Sequence, residues 1–204
     1  MKEITKEFIK NKIITVNPNG FTKESADFPI VCHSRLALST ADMRFAVAYY
    51  LENTVFHKYG FAPDVILAMS TNALVWASML CRNSSHFNEL PIGLLTTETS
   101  KKQKNPIVQA DGISLCHKNV LLIEDVLTSA QEIATTIGRL KKGNVEVLGL
   151  VSFFSYDFPK TMSLLKKKNT ELISVCEFTG LTEAENLNLS QRQVAYLKEW
   201  HRLM

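Results

Sequence analysis

No apolar run in the 204 residues approaches the roughly 18 to 20 that a membrane span needs, so no membrane association is expected. No sign of charge dominates either. The 23 basic and 20 acidic side chains leave a net +3, too small and too scattered to make nucleic acid the main partner. Cys32, Cys81, Cys116 and Cys176 stand far apart with no C-x-x-C pair, which argues against a disulfide frame or a zinc site and for reduced thiols. The first residues carry Glu3 and Glu7 among lysines and lack the apolar h-region of a signal peptide. A cytoplasmic protein is the expectation. No internal repeat, low-complexity tract or linker divides the chain. With 46% hydrophobic and 21% charged residues the composition is that of an average globular domain. Disorder, collagen and coiled coil are excluded, and one domain over 1–204 is expected.

Ile4, Phe8, Ile9 and Ile13 have helical spacing, which predicts a helix over residues 2–13. Met43, Val47, Leu51 and Val55 predict another over 41–59, with Gly60 as its C-cap. Short apolar runs then alternate with helical stretches. Strands are predicted at 65–69, 92–95, 120–123, 145–154 and 172–178, and helices at 73–81, 130–142 and 158–168. Residues 96–112 read as a long polar loop, and Ser190 with Gln193 as a capping box opening a final helix. Strands apolar on both faces and separated by helices imply an α/β domain with a mostly parallel sheet covered on each side.

Ligands of such sheets bind at the carboxyl ends of the strands. The turn after Met69, the loop after Leu95 and the turn after Asp125 are therefore the places to look. Four apolar residues, Val120 to Ile123, deliver two adjacent carboxylates, Glu124 and Asp125, to one strand end. Two readings stand there. The pair can serve ribose hydroxyls or a magnesium ion, or it can simply end a strand in solvent.

The stretch from Val120 to Ala130 resembles the phosphoribosyl-diphosphate (PRPP) signature of type I phosphoribosyltransferases: four apolar residues, Glu/Asp-Asp, two apolar residues, then a Thr/Ser/Gly-rich turn. The chain from about Phe21 to Trp200 is similar to orotate phosphoribosyltransferases in particular. Phe21-Thr22, Pro29-Ile30 and the run Cys32 to Ser39 match the family's N-terminal substrate segment. The run Val147 to Tyr156 matches the strand and hood connection that follow its PRPP helix. The resemblance implies a type I phosphoribosyltransferase fold with a small hood from about 1–40 and 155–185. It implies a magnesium-assisted reaction of PRPP with orotate, giving orotidine 5′-monophosphate and diphosphate, in a homodimer. Carried over residue by residue, Glu124 and Asp125 take the ribose hydroxyls, Asp125 also taking a catalytic and metal-ligating role. Thr128 and Ser129 take the 5′-phosphate, Ser70 and Thr71 lie on the diphosphate turn, and Arg35 keeps its place in the substrate segment. Lys101 and Lys104 stand for the catalytic lysines of the family's long loop, with Lys102 beside them.

Four departures accompany the resemblance. Ala130 and Gln131 replace phosphate-turn glycines, and Ser129 with Glu132 has the S-x-x-E spacing of a capping box, which would close the helix start. The turn at 68–73 has no glycine, and Thr71 and Asn72 read there as helix caps. The loop has no arginine or histidine, with Glu98 near the arginine's place. Ser25-Ala26-Asp27-Phe28 replaces the family's Ser-Gly and substrate-contacting lysine. Two functions follow: an enzyme acting on orotate or another base, or a catalytically silent relative kept for binding or regulation.

Overall fold

The computed structural model describes residues 2–21, 28–95, 105–182, 187 and 189–204. Helix α1 (Lys2–Lys10) leads into β1 (Ile14–Val16), a 3-10 turn (Pro18–Phe21), β2 (Ile30–Cys32) and a second 3-10 turn (Ser34–Leu38). Then come α2 (Ala41–Tyr59), β3 (Val65–Ala68), α3 (Thr71–Asn83), β4 (Ile92–Leu94), β5 (Gln109–Ala110), β6 (Ile113–Ser114) and β7 (Asn119–Leu127). The chain closes with α4 (Gln131–Lys142), β8 (Glu146–Ser155), α5 (Pro159–Lys167), β9 (Leu172–Glu177), α6 (Phe178–Thr182) and α7 (Gln191–Leu203).

Five parallel strands form the central sheet in the order β4-β3-β7-β8-β9. Alternation along each strand divides the core. Ile66, Ala68, Leu121 and Ile123 pack with Val47, Leu51, Trp76 and Leu80 of α2 and α3. Val65, Leu67, Val120 and Leu122 pack with Ile133, Ile137 and Leu140 of α4. Each such buried aliphatic contributes about 1.5 to 3 kcal/mol, so the two faces fix the register of the sheet. On the first face, Trp76 stacks on Phe153 at 4.4 Å between ring centres.

Beside the sheet, β1 and β2 pair antiparallel. Phe28, Phe158 and Phe178 meet Trp200 of α7 at 5.3 to 5.5 Å. The C-terminal helix, beyond the 155–185 stretch, thus packs with the same aromatic group. Its start carries the expected Ser190–Gln193 capping box, and α2 ends as expected at Gly60, whose φ of 55° suits a residue without Cβ.

Several boundaries differ from the sequence reading. Helix α1 stops at Lys10, because Lys12 (φ 56°) turns the chain into β1, where the His33 N–H donates to the Ile13 carbonyl. Residues 109–112, expected as the end of the long loop, form with 113–114 a hairpin closed by Asp111 (φ 47°) and Gly112 (φ 80°). The Asp-Gly pair is the turn signal that could have found it. Strand β7 runs on to Leu127 rather than ending at Ile123, because β8 continues beside it, Glu124 opposite Ser152 and Leu127 opposite Ser155. The predicted last strand gives way at Phe178 to α6, whose Phe178 N–H donates to Asp157 Oδ1.

Candidate functional site

Strand β3 has β4 on one side and β7 on the other, although β7 comes later in the chain. The connections from β3 and β7 therefore depart to opposite faces, and a crevice opens between the carboxyl ends of these two strands. Backbone bonds hold its floor: the Met69 N–H donates to the Ile123 carbonyl at 2.8 Å, and the Leu95 N–H to the Ala68 carbonyl at 2.8 Å. One residue further along each segment, Ser70 past the end of β3 and Glu124 within β7 are in contact across it.

Ser70 caps α3. Its backbone is extended and its Oγ accepts the Ala73 N–H at 3.1 Å. This corrects the assignment of the cap to Thr71 and Asn72: the helix begins at Thr71, so the capping position is one residue earlier. Ser70 Oγ also donates to Glu124 Oε1 at 3.1 Å, and the same oxygen accepts the Asp125 N–H at 2.8 Å. Burial pushes the Glu124 carboxyl above its ordinary range. The Asp125 N–H and Ser70 oppose that rise, and the charges of Asp125 and Glu132 add to it. A half-desolvated carboxylate of this kind gains from hydroxyl donors.

Asp125 follows the alternation to the opposite face. It is buried at 6% exposure. Its Oδ2 accepts from Ser34 Oγ at 2.8 Å and Asn72 Nδ2 at 3.2 Å, and its Oδ1 accepts from Trp76 Nε1 at 2.8 Å. Asn72 in turn receives a fork from Arg35, Nε at 3.1 Å and Nη2 at 2.9 Å, both to Oδ1. The sequence reading took Asn72 only for a helix cap, gave Ser34 no role of its own and passed over Trp76. The signal for two of them was present: Asn72 and Trp76 lie four apart, on one face of a helix.

The magnesium expectation at Asp125 does not fit this carboxylate. Three protein donors already occupy its oxygens, and Glu124 belongs to a separate set of contacts.

The turn after β7 differs from that after β3. Helix α4 starts at Gln131, so Ala130 is the N-cap and makes no side-chain cap bond. The expected Ser129–Glu132 box is absent for a register reason. Glu132 is the second helical residue, and a box needs the third. Ser129 Oγ accepts the Gln131 N–H, two residues on, at 3.3 Å. Thr128 and Ser129 are both exposed, beside the start of α4. Thr71 is exposed at the first turn of α3. Lys101, Lys102, Lys104, Glu98 and the stretch 25–27 lie outside the described residues.

Comparison with known proteins adds three kinds of likeness. A family model described as the phosphoribosyl transferase domain matches residues 38–182. A protein of Listeria innocua named orotate phosphoribosyltransferase is 27% identical over 203 residues, covering 98% of this chain and 94% of that protein. Crystal structures of orotate phosphoribosyltransferases share the fold. That from Francisella tularensis superposes with a TM-score of 0.71 at 16% identity, over 98% of this chain and 94% of the other. That from Aeropyrum pernix gives 0.69 at 19% identity, over 88% and 96%.

Proposed function

The chain belongs to the phosphoribosyltransferase family, and on that premise we propose that it transfers the phosphoribosyl group of PRPP to orotate. The bond from ribose C1′ to the diphosphate oxygen breaks and a bond from C1′ to the pyrimidine nitrogen forms. The products are orotidine 5′-monophosphate and diphosphate. Positive charge develops on the ribose as the diphosphate leaves, so the protein's part is to position both reactants and to neutralise the leaving group.

One observation carries this reading: the exposed turn of Thr128 and Ser129 at the start of α4, where Ala130 makes no side-chain cap bond and Ser129 Oγ takes the Gln131 N–H. A helix start without a side-chain cap offers backbone N–H groups and the positive end of the helix dipole to a phosphate. In this reading Thr128 and Ser129 hold the 5′-phosphate and Glu124 accepts the ribose hydroxyls. The Ser70–Thr71 turn borders the diphosphate. Lys101, Lys102 and Lys104 supply charge to the diphosphate as point contacts, reaching it from the second subunit of a homodimer. Magnesium enters only as a companion of the phosphate oxygens of PRPP. No described helix is long and apolar enough to cross a membrane. From the likeness to orotate phosphoribosyltransferases alone, we propose a cytoplasmic reaction.

Calorimetric titration with PRPP and magnesium, followed by an orotate-consumption assay, tests the proposal. Micromolar PRPP binding and loss of orotate are expected. Glu124→Gln should weaken binding about ten- to a hundredfold, the worth of one charge-assisted hydrogen bond. Consumption of another base instead of orotate would overturn the acceptor. No heat up to millimolar PRPP from folded protein would overturn the transferase reading and leave the silent relative.

A further inference from the structure

Asp125, Asn72 and Arg35 form a chain of contacts running from the buried face of the sheet to the mouth of the crevice. At its inner end, two of the three donors to Asp125 are themselves buried, Ser34 at 5% and Trp76 at 2% exposure. Turning the carboxylate toward a ligand would strand the Trp76 indole N–H without an acceptor inside the core. At the outer end, Arg35 is exposed, and Asn72 Oδ1 takes only two of its five N–H donors. Asn72 itself sits in the first turn of α3, two residues past Ser70 and its contact with Glu124.

We propose that Asp125 is a positioning residue. It fastens the Ser34–Leu38 turn and the first turn of α3 to the end of β7. Through Asn72 it holds the Arg35 guanidinium at the crevice, where Arg35 takes an anionic group of the reactants. The inference rests on the transferase reading for its role in turnover. The anionic group is a carboxylate or a phosphate, the two shapes that a guanidinium fork matches. Glu124 is then left as the single carboxylate for the ribose hydroxyls.

Two measurements test this. The first uses the free protein and needs no turnover: NMR of the Trp76 indole N–H and the Arg35 Nε–H. Asp125→Asn places an amide NH2 against the Asn72 NH2, so donor meets donor. That variant and Asn72→Ala should each shift the Arg35 signal and expose it to solvent exchange, while Glu124→Gln leaves it in place. An Arg35 signal indifferent to Asp125→Asn would overturn the proposal even in an inactive protein. The second measurement is steady-state kinetics. Arg35→Lys and Asp125→Asn should each raise one KM about tenfold with kcat within about threefold, and the double variant should do no worse than either. A raised orotate KM identifies the carboxylate, a raised PRPP KM the phosphate. Multiplying effects would overturn the proposal, as would a Trp76 indole signal that moves when PRPP binds, since Asp125 would then have left Trp76 for the ribose. Absence of PRPP binding would instead sink the transferase reading and leave the free-protein NMR to decide the positioning role.

Discussion

The two strand-to-helix turns that flank the crevice are built alike and finished differently. After β3, Ser70 caps α3, Asn72 and Trp76 reach across to Asp125, and Trp76 is packed against Phe153. After β7, Ala130 offers α4 no cap bond, Thr128 and Ser129 face solvent, and the fully buried Thr136 hydroxyl has no hydrogen-bond partner among the described residues. One unit has satisfied its polar groups internally and serves as scaffold. The other leaves donors at its rim, which is what an anion-binding turn requires. Both adjacent carboxylates are tied to the first unit, Glu124 through Ser70 and Asp125 through Asn72 and Trp76, although as consecutive strand residues they point to opposite faces.

The comparison breaks most visibly at Trp76. Trp76→Ala should cost about 3 to 5 kcal/mol in urea unfolding, since it empties a core site and removes a donor from a buried carboxylate. A loss under about 1 kcal/mol would mean the β3 side is no scaffold. Ser70→Ala should cost about 1 to 2 kcal/mol, the worth of a cap together with its bond to Glu124. Thr136→Val, nearly isosteric, should stabilise by about 1 kcal/mol by removing a buried hydroxyl without a partner. Ser129→Ala should change stability by no more than ~0.5 kcal/mol, as befits an exposed turn, while weakening PRPP binding measured by calorimetry. A stability loss equal to that of Ser70→Ala would erase the distinction between the turns.

The smallest effect is in pH. The Glu124 carboxyl is raised in the folded protein chiefly by burial. Ionising it therefore works against the fold. The penalty is absent below the ordinary glutamate pKa, grows as pH rises toward the raised value, and is constant above it. Glu124→Gln should thus match the parent protein in acid and exceed it in Tm at neutral pH. The opposite trend would mean that Ser70 and the Asp125 N–H outweigh burial.

Much of this was legible in the chain. Val120 to Ile123 announced a buried strand, the helical period of 41–59 gave α2 at its observed bounds, and the order of elements implied a parallel sheet. The PRPP-like stretch lies toward the carboxyl end of β7, beside β3. Less legible was anything that depended on register. Whether Ser129 or Ala130 caps α4 shifts by one residue with the length of β7, and β7 is lengthened by its pairing with β8. A helix cap is a local signal, but the place where a strand stops is set by its neighbours.

Composition and periodicity determined by themselves an α/β fold with two carboxylates late in a central strand, because burial of apolar residues at fixed spacing leaves few alternatives. Which carboxylate faces the crevice was decided only by the tertiary structure. Ser34, Asn72, Trp76 and Asp125 lie up to 91 positions apart, and only packing of α3 and the Ser34–Leu38 turn against β7 brings their donors to one carboxylate. The sequence names the groups; their shared hydrogen bonds exist only once the sheet and its helices have closed around them.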